Sequence, residues 1–100
     1  MKYIVDIDGT LCTLTKNLEY ERAEPLHANI EKINTLYKQG NEIYLWTARG
    51  TVSAIDFSEL TKNQLDDWGV KYHSLNFGKP DYTVWIDDKC INIKDLEVKK

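Results

Sequence analysis

Four short strings of this 100-residue chain carry side chains able to do chemistry: Asp6-Ile7-Asp8-Gly9-Thr10, Thr47-Ala48-Arg49-Gly50, Gly78-Lys79-Pro80 and Asp87-Asp88. Carboxylates gathered at one place repel one another and resist ionisation unless a cation neutralises them. Asp6, Asp8, Asp87 and Asp88 offer only oxygen ligands, which points to Mg²⁺, a hard ion that often binds substrate phosphate as well. The hydroxyl of Thr47, the point charge of Lys79 and the backbone N–H groups around Gly9 would then form a cradle for phosphate oxygens. Phosphoryl transfer asks mainly for positioning and charge neutralisation, and this set supplies both. Arg49, two residues beyond Thr47, is a candidate contact for a second anionic or hydroxylated group.

These strings need elements that bring them together. Tyr3-Ile4-Val5 is a short β-rich run that stops at the acidic, glycine-containing loop. Residues 11–25 are polar and without a clean period. Residues 26–39 repeat Ile30, Ile33, Leu36 and Tyr37 at helical spacing and end at Gly40. Residues 42–46 (Glu-Ile-Tyr-Leu-Trp) form a second β-run ending at Thr47. Residues 53–68 carry Ile55, Leu60, Gln64, Leu65 and Trp68 in a second helical pattern closed by Gly69. Residues 70–75 alternate weakly, as a third strand. Residues 82–86 (Tyr-Thr-Val-Trp-Ile) give the strongest strand signal of the chain and stop at Asp87.

Strands alternating with helices predict a single α/β domain over residues 1–100, a small doubly wound parallel sheet flanked by helices. In such sheets the ligand crevice lies at the carboxyl ends of the strands. Three apolar runs here end in reactive residues, so Asp6/Asp8, Thr47/Arg49 and Asp87/Asp88 are expected to converge.

Composition limits the alternatives. A chain of this length houses one core and no separate substrate domain. A net charge of −3 gives no basic footprint for a nucleic-acid backbone. Cys12 and Cys90 form no CxxC pair, which disfavours a zinc site or disulfide scaffold and suits a reducing compartment. The N-terminal residues lack a secretory apolar core, and no stretch approaches the roughly 20 apolar residues of a membrane span. The expected setting is cytoplasmic, and the expected partner a small phosphorylated molecule rather than nucleic acid or membrane.

Taken in order, the strings resemble the four motifs of the haloacid dehalogenase superfamily over nearly the whole chain. The resemblance implies a Rossmann-like core in which Asp6 attacks phosphorus, while Asp8 protonates the leaving oxygen and later activates water. It also implies that Thr47 holds the phosphoryl group, that Lys79 steadies the nucleophile and the transferred charge, and that Mg²⁺ is bound by Asp87 and Asp88 with Asp6 and the backbone carbonyl of Asp8. An acidic residue two positions after the nucleophile is similar to the phosphatases and phosphomutases of that family. The gaps between motifs leave no room for that family's cap domain, which implies residues 11–25 as the remaining flap and an open site that takes a bulky substrate or is covered by a second copy of the chain. The strings Trp-Thr-Ala-Arg-Gly and Ile-Asp-Asp-Lys resemble small members associated with bacterial surface polysaccharides and sugar phosphates.

Each string also has an ordinary reading. A threonine after a strand is common capping chemistry, paired aspartates serve as helix caps, and a lone arginine is usually a surface cation. Trp46, Trp68 and Trp85 lie within apolar runs and are expected in the core rather than as a stacking platform. Cys12 has no adjacent base to activate it. The weight rests on all four strings occurring in order at strand ends. A phosphotransferase or phosphomutase would use the same residues, and an inactive phosphate-binding module would keep the fold alone. A receiver domain of similar architecture would need its aspartate after the third strand, where this chain has Ser74-Leu75-Asn76.

Overall fold

The computed structural model describes residues 1–100. Three strands, β1 (Lys2–Asp6), β2 (Glu42–Thr47) and β3 (Ser74–Phe77), form a parallel sheet in the order β1-β2-β3. Helix α1 (His27–Lys38) connects β1 to β2, and α2 (Ser58–Asp67) connects β2 to β3. Both steps run in the same direction across the sheet, so two right-handed crossovers put both helices on one face. The alternation of side chains agrees. Val5, Ile43 and Leu45 are buried on the covered face, while Ile4, one residue out of phase, is 62% exposed on the other.

Pairing Asp6 with Trp46 and Thr47 with Phe77 aligns the carboxyl ends of all three strands. The core beneath them is one cluster in which Ile7, Leu11 and Cys12 of the first loop join Ile30, Ile33 and Leu36 of α1 and Leu65 of α2. The loop carrying the acidic residues is therefore part of the core and cannot swing freely. No helix is long and apolar enough to cross a membrane.

The helices start and stop close to the sequence expectation, with one difference. The second helical pattern was expected from residue 53, but α2 begins at Ser58. Ala54 lies at φ 61°, outside helical space, and an Asp56 carboxylate oxygen accepts from the Ser58 N–H at 2.9 Å, fixing a turn just before the helix. The weak third strand forms at Ser74–Phe77 rather than over residues 70–75.

Residues 82–86 are a correction. The strongest strand signal of the sequence forms no strand here, and the whole stretch 81–91 is exposed, with Ile86 at 93%. A β-rich run becomes a strand only against a partner, because what strand propensity measures is fit to a neighbouring, half-buried surface. Here the side chains settle locally: the Tyr82 and Trp85 rings meet edge to face at 5.1 Å, and Trp85 Nε1 donates to Asp87 at 3.5 Å. The free edge of β1 stays unpaired. What forms is less than the doubly wound sheet expected: three parallel strands with two helices on one face. Trp85, expected in the core, is about half exposed.

Candidate functional site

Asp6 is the last residue of β1, and the chain turns at once into a tight loop. Thr10 and Leu11 N–H groups donate to Ile7 O at 3.1 and 2.8 Å, and Gly9 N–H donates to Cys12 O at 2.8 Å. Gly9 sits at φ +84°, a conformation that a side chain would strain. The cradle expected around Gly9 is consequently narrower than the sequence suggested. The Gly9 and Thr10 donors are consumed inside the loop, whereas Asp8 N–H donates to no backbone carbonyl or side chain.

The Asp6 carboxylate is held by two donors. Lys79 Nζ lies 2.9 Å from Oδ1, and the Thr10 hydroxyl reaches Oδ2 at 3.3 Å. Lys79 is delivered by backbone: its N–H donates to Thr47 O at 3.1 Å, and the Thr51 hydroxyl donates to Lys79 O at 2.8 Å. Burial disfavours the Lys79 ammonium, but the hydrogen bond and charge of Asp6, with help from Tyr82, outweigh it and raise its pKa above the ordinary lysine value. The cation is therefore permanent at any physiological pH.

Thr47 ends β2 fully buried, its hydroxyl oxygen accepting from Arg49 N–H at 3.1 Å. Arg49 departs from both sequence readings, substrate contact and surface cation. Its side chain is 0% exposed and folds back onto Asp8, Nε reaching Oδ2 at 3.0 Å and Nη2 reaching Oδ1 at 3.0 Å. The other edge of the guanidinium donates to Thr61 Oγ1 at 3.1 Å and Gln64 Oε1 at 2.6 Å, both on α2. The Tyr20 ring lies 4.7 Å from the guanidinium carbon. Sequence reasoning had placed Gln64 in an apolar helical stripe. A polar residue in such a stripe was the available signal that something charged would be buried against it.

Cys12 is buried in the same cluster, its Sγ 3.5 Å from Asp8 Oδ1. Burial first, then the Asp8 charge, pushes the thiol up to about 12, so it is no nucleophile. His73 is structural: its Nδ1 accepts from Ile43 N–H at 3.1 Å, and its ring stacks on Tyr37. Lys89 meets Asp87 through its backbone N–H at 2.9 Å and not through an ion pair.

The structure thus brings together Asp6, Asp8, Thr47, Arg49 and Lys79, and leaves Asp87 and Asp88 in the exposed stretch after residue 81. No three His, Cys, Asp or Glu side chains converge to hold a metal ion. Two carboxylates, each already paired with a cation, do not by themselves fit Mg²⁺, which needs free oxygen ligands. Beside the 49–51 loop a hollow of about 210 Å³ is lined by Gly50, Phe57, Phe77 and Gly78, room for a small ligand. A larger hollow of about 590 Å³ runs along α1 to Lys100, and none of its lining residues belongs to the carboxylate cluster.

No family model and no curated protein matches the chain. Among solved structures, the chain is similar to an MCSG target from Vibrio cholerae, with 28% identity and a TM-score of 0.85 over 94% of this chain and 85% of that one. It is also similar to part of a Pnkp1/Rnl/Hen1 complex, with 20% identity and a TM-score of 0.62 over 87% of this chain and 30% of that one. At that identity the second likeness concerns the fold alone.

Proposed function

We propose that the protein is a Mg²⁺-dependent phosphomonoester hydrolase of the haloacid dehalogenase type, acting on a small phosphorylated metabolite such as a sugar phosphate. The observation that carries this reading is the pairing of Asp6 with Lys79 at the carboxyl end of β1, with Thr47 closing the next strand. A carboxylate held between an ammonium and a hydroxyl is oriented for attack, and the ammonium stays to neutralise the charge that arrives with phosphate.

In the proposed reaction an Asp6 oxygen bonds to phosphorus while the ester P–O bond breaks. Asp8 is the group that passes a proton to the leaving oxygen. Water then attacks the aspartyl phosphate as Asp8 takes a proton back, releasing inorganic phosphate and restoring Asp6. Lys79 supplies positive charge throughout, and the free Asp8 N–H is a donor for a phosphate oxygen.

Mg²⁺ would add further charge neutralisation. The residues to hold it are Asp6, the carbonyl of Asp8, Asp87 and Asp88, which requires residues 82–86 to pair along the free edge of β1 as the fourth strand of a doubly wound core. Support for that step comes from the strand signal of residues 82–86, from their exposure and from the uncovered face around Ile4. The setting we propose is cytoplasmic, without nucleic-acid or membrane partners. A second copy of the chain is the proposed cover for the open site.

Phosphate release from a panel of sugar phosphates, nucleotides and an aryl phosphate, with Mg²⁺ or EDTA and beside Asp6→Asn, tests the reading. Release requiring both Mg²⁺ and Asp6 is the expected result. Adding acceptor alcohols separates hydrolysis from phosphoryl transfer. A folded protein that binds phosphate but turns over nothing would be a binding module instead.

A further inference from the structure

The hydrolase reading uses Asp8 as proton donor but says nothing of the cation beside it. Arg49 has five N–H donors, and all of them are engaged within the protein. Nε and Nη2 grip Asp8, Nη2 also reaches Cys12 Sγ, and Nη1 reaches Thr61 and Gln64. With no exposed side-chain surface, the guanidinium presents nothing to a ligand.

The grip is itself held from three directions. Arg49 follows β2, Thr61 and Gln64 stand on α2, and Gln64 Nε2 donates to Tyr20 O at 2.7 Å, which ties in the flap over residues 11–25. A planar fork clamped in this way permits one rotation of the Asp8 carboxylate, where a lysine would permit several. Asp6 makes the contrast, since its partner Lys79 is a single point donor.

We infer that Arg49 is a positioning residue, fixing the Asp8 carboxyl group so that its outer edge meets the leaving oxygen of the substrate. The inference rests on the hydrolase reading, because it needs Asp8 to transfer a proton. Misplacing a reacting group by about 1 Å costs on the order of 10²-fold in rate.

Leaving groups separate this role from the alternatives. An alkoxide must be protonated as it departs, whereas nitrophenolate departs unprotonated. The test compares wild type and Arg49→Lys at saturating Mg²⁺ on an alkyl phosphate and on p-nitrophenyl phosphate, reading kcat and KM for the first and the pre-steady-state burst for the second. The expected result is a loss of about 10²-fold in kcat on the alkyl phosphate, an unchanged KM and a retained nitrophenolate burst. Equal losses on both substrates would make Arg49 a structural residue only. A raised KM with kcat kept would make it a substrate contact, and full activity would remove it from the reaction. Each of these overturns the inference. Should Arg49→Lys fail to fold, Gln64→Leu removes one of the two acceptors at the far edge of the guanidinium, leaving Thr61 and the Asp8 contact in place. It should show the same selectivity for the poor leaving group at smaller amplitude, and equal rates to wild type on both substrates would overturn the inference. Wild type lacking Asp6-dependent release on either substrate would instead bring down the hydrolase reading.

Discussion

Lys79 Nζ lies 2.9 Å from Asp6 Oδ1 across 73 residues of sequence. The contact is built by backbone and not by side-chain reach, since Lys79 N–H is anchored on the last carbonyl of β2, one strand away from Asp6. Lys79→Met should therefore leave the fold standing and lower kcat/KM for phosphate release by about 10²–10³-fold, the usual cost of removing one preorganised electrostatic contact. Steady-state kinetics with circular dichroism as the folding control check this. A variant that turns over as fast as wild type would show that the ammonium is structural.

Gly50 and Gly40 both adopt positive φ, +84° and +91°, yet they should respond differently to alanine. At Gly40 nothing lies within 4 Å of an added Cβ, so the left-handed backbone alone is penalised, by about 1–2 kcal/mol. At Gly50 the Cβ would stand 2.3 Å from the Ile55 carbonyl oxygen, and backbone must move. Gly50→Ala should lose at least about 2 kcal/mol more than Gly40→Ala in urea unfolding, and should also disturb Arg49 next to it. Equal losses would mean that the 50–55 turn yields without cost.

What could be read from the sequence was what repeats locally. Ile30, Ile33 and Leu36 mark α1 by their spacing, and β1 and β2 follow from short apolar runs stopped by polar residues. The site was legible to the extent that its residues stand at strand ends. Arg49 was not, because a cation looks the same in sequence whether it faces water or is buried. Its partner Asp8 is 41 residues away, and Thr61 and Gln64 follow 12 and 15 residues later. The misreading of Trp85 has the same origin: an apolar run states that a surface is worth covering, not what covers it.

The two cysteines should behave oppositely. Cys90 is exposed, whereas Cys12 is buried against Asp8 with its thiol pushed up to about 12. At pH 8 a disulfide reagent should titrate one thiol rapidly in the native protein and the second only on unfolding. The sign for stability follows from the raised value. The folded state keeps the Cys12 proton that the unfolded chain gives up near 9, so this contribution is whole below pH 9 and shrinks as pH rises toward about 12. Cys12→Ala should flatten the alkaline fall in unfolding free energy, and two fast thiols at pH 8 would contradict the buried placement.

Residues 82–86 carry the last prediction, because the proposed metal site depends on them. Val84 and Ile86 are exposed and β1 has an unpaired edge, so pairing the two would cover apolar surface and satisfy backbone groups in one step. It would also carry Asp87 and Asp88 to the edge where Asp6 and Asp8 already lie. Two carboxylates near two others repel, so the pairing should be weak without a cation and firm with one. Hydrogen exchange followed by mass spectrometry should then show amides in residues 82–86 protected with Mg²⁺ and phosphate, and exchanging freely in EDTA. Asp87→Asn should shift the Mg²⁺ concentration needed for half protection upward by about tenfold, the equivalent of about 1.4 kcal/mol. Protection that is complete in EDTA would make the fourth strand a fixed part of the fold, and exchange that ignores Mg²⁺ in both proteins would remove Asp87 from the metal site.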